Sequence, residues 1–148
     1  MVKKDITILV RGKIADYSIE KIKKYAESYK VIISSWEDDN EKYNFSNPNI
    51  QTIFKVPPEK THDNTSVGNM LFQFQSVVNG LNEIQTEYCI VFRADEYFSN
   101  ISTIEDNIRN NPDKLLSSNI FFKSPRVWPW HISDHILAGK TSDLLKTY

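Results

Sequence analysis

This 148-residue sequence predicts an α/β fold with a mostly parallel central sheet flanked by helices. Three observations carry that prediction. The runs Ile6-Thr7-Ile8-Leu9-Val10, Val31-Ile32-Ile33 and Tyr88-Cys89-Ile90-Val91-Phe92 are continuously apolar or β-branched, as strands covered on both faces must be. Between them lie stretches whose apolar residues recur at helical spacing. Strand-like and helix-like segments then alternate along the chain, the order that builds parallel sheets.

The first strand ends at Arg11-Gly12-Lys13. Ile19, Ile22, Ala26 and Tyr29 give residues 17–29 a helical period, with Asp16 as the expected N-cap. The second strand runs into Ser34-Ser35-Trp36 and the acidic Glu37-Asp38-Asp39, and residues 40–49 read as a loop. Residues 50–56 form a third strand stopped by Pro57-Pro58. A long helix is expected over residues 67–85, with Val67, Leu71, Phe74, Val78 and Leu81 on its apolar face. The fourth strand, residues 88–92, reads as central. A short helix follows at residues 103–110, broken by Asn111-Pro112-Asp113, then an aromatic segment and a final helix or turn from Asp134.

Size suits one domain over residues 1–148, able to bury a core without crosslinks. At 40% hydrophobic and 25% charged residues the composition is that of a globular protein. A net charge of −1 argues against nucleic-acid binding through a broad basic surface. The single cysteine, Cys89, lies in an apolar run and reads as a small buried hydrophobe rather than a zinc ligand. No segment has the length of a membrane span, and the start of the chain lacks a signal-peptide core, so a cytoplasmic location is the expectation.

In open parallel sheets the ligand crevice lies beyond the carboxyl ends of the strands. Here those ends carry Arg11 and Lys13, then Trp36 and the acidic triplet, then Arg93, Asp95 and Glu96. Neither a Gly-x-Gly-x-x-Gly fingerprint nor a P-loop is present. Asp95 and Glu96 are hard oxygen ligands suited to Mg²⁺ or Mn²⁺, which would bridge them to a diphosphate, with Arg93 and Arg11 adding charge-assisted bonds. A solvated acidic turn is the alternative for the same residues.

Asn69, Gln73, Ser76 and Gly80 form a second stripe on the long helix, roughly 150° from its apolar face by the helical period. Small and amide residues of this kind read as a surface for close approach of a ligand or a neighbouring backbone or, more simply, as solvent-facing. Trp128 and Trp130 suit stacking against an acceptor sugar, or packing on the sheet. Asp134 is the candidate general base, or else a helix cap. His135 is a weaker acceptor-side candidate, and its spacing from His131 allows a metal pair without a visible third ligand.

These blocks together resemble the WavE-type lipopolysaccharide-synthesis proteins, glycosyltransferases of GT-A-like fold. The resemblance rests on residues 8–14, on Ile32-Ile33-Ser34-Ser35-Trp36, on Asn69 with Gln73, Ser76 and Gly80-Leu81, and on residues 88–95 ending Phe92-Arg93-Ala94-Asp95. Ser133-Asp134-His135 with Gly139 is similar to a later serine–aspartate motif. Phe72 stands where the family usually has arginine, and Ala94 where it usually has threonine.

The resemblance implies a Rossmann-related nucleotide-sugar domain, minimal or truncated because the chain stops soon after the serine–aspartate block. Residues of about 1–100 would bind the nucleotide and about 101–148 the acceptor side. It implies transfer from a UDP- or GDP-linked sugar to a glycan or lipid-linked acceptor. Donor contacts would come from Arg11, Gly12, Lys13, Trp36, Gln73, Ser76, Arg93 and Asp95, with Mn²⁺ or Mg²⁺ near Asp95. A non-catalytic nucleotide-binding module and a sugar nucleotidyltransferase remain alternatives.

Overall fold

The computed structural model describes residues 2–59, 66–118 and 135–148, with the backbone alone at 66–69. Its six strands are β1 (Lys3–Arg11), β2 (Tyr29–Trp36), β3 (Ile50–Lys55), β4 (Tyr88–Arg93), β5 (Leu116–Ser117) and β6 (Ile136–Lys140). They form one sheet in the order β3-β2-β1-β4-β6-β5. The β3–β2, β2–β1 and β1–β4 pairings are parallel, and β6 joins β4 and β5 antiparallel. The sheet is therefore mostly parallel, as the sequence predicts.

The helices are α1 (Ile19–Ala26), α2 (Glu37–Lys42), α3 (Ser66–Leu81), α4 (Ile101–Asn110) and α5 (Thr141–Thr147). Successive strand residues point to opposite faces, so the apolar runs feed two cores. Ile6, Ile8 and Val10 of β1 join Val31, Ile33, Ile90 and Phe92 against α1 and α4, through Ile22, Ala26, Ile101 and Ile108. Leu9, Ile32, Cys89 and Val91 face the other way, onto Val77 and Leu81 of α3 and Leu144 of α5. Cys89 is fully buried, as expected, and burial pushes its thiol up. No helix among the described residues is long and apolar enough to cross a membrane.

Four expectations are corrected. Asp16 caps no helix; it opens a short 3-10 turn before α1. Its carboxylate instead accepts a 2.6 Å hydrogen bond from Tyr43 Oη and pairs with Lys42 at 2.9 Å, so a tertiary contact displaces the capping role. Glu37-Asp38-Asp39 and the start of the expected loop form α2, whose N-terminus favours those acidic side chains.

The third correction concerns α3. Leu71 and Phe74, assigned to its core face, are exposed; Leu81, assigned there too, is buried as expected, together with Ser76, Val77 and Gly80. Ser76 and Gly80 of the small-residue stripe therefore face the sheet, because small side chains let the helix backbone approach the strands closely. Fourth, residues 136–140 are a strand and not a helix or turn. Alanine and glycine mask strand propensity there, and Ala138 and Gly139 pair with Ile90 and Cys89 of β4.

Candidate functional site

After β3 the chain crosses to the other side of β1, so β1 and β4 flank the point where strand order reverses. A crevice is expected at the carboxyl ends of these two strands. Arg11 and Arg93 are register partners at that rim. Beyond them the Arg11 carbonyl accepts from the Ala94 amide and the Gly12 amide donates to the Ser34 carbonyl, both at 2.9 Å. Gly12 has φ +90°, a conformation that disfavours any side chain.

A cleft of about 570 Å³ opens here, lined by residues from five places in the sequence. Arg11, Gly12 and Lys13 come from the end of β1, Trp36 and Asp38 from the β2–α2 junction, and Pro57 and Pro58 from beyond β3. Phe72, Gln73 and Ser76 of α3 form one wall, and Arg93, Ala94 and Asp95 follow β4. All eight residues expected at a donor site thus line one cavity. The side chain of Asn69 lies outside the described residues.

The cleft is chemically two-ended. Over β2 and β3, Trp36 packs edge-on against Phe72 with ring centroids 5.3 Å apart, beside the two prolines. Over β1 and β4, three cations (Arg11, Lys13 and Arg93) gather with Asp95. Arg93 grips Asp95 with a two-pronged fork, Nε to Oδ1 at 2.9 Å and Nη2 to Oδ2 at 2.6 Å. That contact holds the Asp95 carboxyl below its ordinary value.

Glu96, although adjacent in sequence, does not line the cleft and pairs with Nδ1 of His135 from β6's leading edge. Asp95 and Glu96 therefore face different partner side chains instead of converging on one position. Among the described residues no group of three His, Cys, Asp or Glu side chains is arranged to hold a metal ion. Trp128, Trp130, His131 and Asp134 lie outside the described residues.

The loop carrying Asp95 is fixed from below. Tyr25 Oη accepts from the Phe98 amide at 2.8 Å and donates to the Phe98 carbonyl at 3.2 Å. Phe92 stacks on Phe98 at 4.8 Å and on Tyr25 at 5.5 Å, and burial raises the Tyr25 hydroxyl to about 12.

The β1 turn is fixed by Asp39. Its buried Oδ2 accepts a 2.9 Å bond from the Ile14 amide and another from Ser35 Oγ. The sequence places Asp39 at the rim with Glu37 and Asp38, whereas its side chain is buried beneath the β1 turn and only Asp38 of the three lines the cleft; Pro57, Pro58 and Phe72 were not foreseen as lining residues. Phe72 was within reach, since it lies four residues before Ser76 on the same side of the helix.

Comparison with known proteins gives one family: the model described as WavE lipopolysaccharide synthesis matches residues 8–148. Among curated proteins there is no match.

Proposed function

The chain belongs to the WavE lipopolysaccharide synthesis family, and from that premise we propose that it is a GT-A-like glycosyltransferase using a nucleotide-sugar donor. The acceptor in this reading is a glycan or a lipid-linked sugar. One observation carries the proposal: a single strand-end cleft has an aromatic end and a cationic end. Aromatic and proline surfaces suit a nucleobase, and clustered guanidinium and ammonium groups suit a diphosphate.

With the base over β2 and β3 and the diphosphate over β1 and β4, the sugar extends past Asp95. The acceptor hydroxyl then attacks the anomeric carbon while the carbon–oxygen bond to the diphosphate breaks. Its proton passes to a base, for which Asp134 is the candidate, and the nucleoside diphosphate leaves with the electron pair. The cleft cations stabilise the charge on that leaving group, an electrostatic and positioning task.

The test is release of nucleoside diphosphate from UDP- and GDP-linked hexoses, followed by chromatography with and without Mn²⁺. Slow hydrolysis of one donor class, abolished in Arg11→Ala, supports the reading. A protein that releases neither diphosphate and whose melting temperature neither nucleotide raises is not a sugar-donor enzyme.

A further inference from the structure

Resting on the donor-site reading, we infer that the diphosphate is clamped directly by Arg93, Arg11 and Lys13, with Asp95 acting as the positioning residue for Arg93 rather than as a metal ligand. Both Asp95 oxygens are taken by the Arg93 fork, at 2.9 and 2.6 Å. A carboxylate used in this way fixes the plane of the guanidinium at the rim. The neighbouring carboxylate that would complete a cation site, Glu96, contacts His135 through Oε1 and does not line the cleft.

Phosphate-binding charge is meanwhile supplied by the protein itself. Arg11 and Arg93 end adjacent parallel strands in matched register, which sets their backbones side by side. Arg11 is only 5% exposed yet lines the cleft, so its charge acts in a poorly hydrated setting where it interacts strongly. Lys13 reaches the same space from one turn further on. The Tyr25–Phe98 hydrogen bonds and the Phe92–Phe98 stack hold the Asp95 loop, so the fork is presented by a fixed segment. Arginine suits this work because a guanidinium held along its Nε edge by a carboxylate has a second, Nη edge whose N–H groups match phosphate oxygens.

The experiment is calorimetric titration with UDP, GDP and inorganic pyrophosphate, each in EDTA and in Mn²⁺. The variants are Arg93→Met, Arg93→Lys and Asp95→Asn. The inference predicts that the best-bound probe has the same affinity in EDTA and Mn²⁺ to within about twofold. Arg93→Met should weaken it about tenfold or more, with Arg93→Lys intermediate and Asp95→Asn milder than Arg93→Met. Circular dichroism melts establish that each variant is folded.

Binding that needs Mn²⁺, or that Asp95→Asn abolishes while Arg93→Met leaves it intact, overturns the clamp and leaves the donor site standing. Failure of all three probes in both media overturns the donor reading itself.

Discussion

Gly80 of α3 lies against Leu9 of β1 so closely that a Cβ on the glycine would sit 2.3 Å from Leu9 Cδ1. This contact sets the depth at which α3 rides on the sheet, and with it the position of Gln73 and Ser76 in the cleft wall. Gly80→Ala should therefore destabilise the protein by about 1–3 kcal/mol through overpacking, outweighing the roughly 1 kcal/mol that alanine gains in helix propensity. Shortening the neighbour in Leu9→Val should make the pair non-additive by about 0.5–3 kcal/mol. Urea denaturation of the two single variants and the double variant measures this coupling; strict additivity would mean that the two residues do not set each other's position.

Asp39 joins the two halves of the rim. Replacing it with alanine leaves the Ile14 amide without its acceptor and should cost about 1–3 kcal/mol in a urea melt. Because the Arg11–Ile14 turn loses its tether, nucleotide affinity should fall by about tenfold even though Asp39 is not a lining residue. Unchanged affinity in a folded variant would show that the turn holds its shape without this bond.

At the opposite end of the sheet, Glu105 of α4 gathers Lys3, Tyr29 and Arg109. Burial alone would raise its carboxyl, but the hydrogen bonds from Lys3, Arg109 and Tyr29 outweigh that and hold it below the ordinary value of 4.5. A lowered native value means that the contribution to stability is fully present above about pH 4.5 and fades as pH falls through the native value. Glu105→Gln should cost about 3 kcal/mol at pH 7. In urea titrations the gap between wild type and variant should narrow steadily below pH 4. A constant gap down to pH 2 would exclude a charged role for Glu105.

Much of this was legible in the sequence, for reasons that differ by element. Residues 6–10 and 88–92 announce buried strands because a strand covered on both faces cannot alternate. Once those two strands are parallel neighbours, Arg11 and Arg93 must share a rim, so the cationic end of the cleft follows from strand ends, whereas the α3 wall does not. The orientation of α3 was half legible: Leu81 was placed on the core face and is buried, and the small-residue stripe allowed close approach, but hydrophobicity ranks Leu71 and Phe74 above Ser76 and Gly80. Close approach rewards small side chains, a term that no hydropathy pattern contains. Residues 136–140 were misread because Ala138 and Gly139 gain their strand conformation from pairing with β4, a contact distant in sequence. The Asp95–Arg93 fork was likewise hidden: an acidic pair in a sequence looks the same whether its partner is a cation from solvent or a neighbouring guanidinium.

The central claim is that the strand-end cleft is where a nucleotide-sugar binds, and backbone resonances test it most directly. The chain has four glycines and three tryptophans, which keeps the Gly12 amide and the Trp36 indole easy to assign. Titrating ¹⁵N-labelled protein with UDP- and GDP-linked hexoses should move both resonances saturably for one donor class, while Gly139 on β6 stays in place. Shifts confined to Gly139 and its neighbours, or no movement of Gly12 and Trp36 at millimolar donor, would contradict the account.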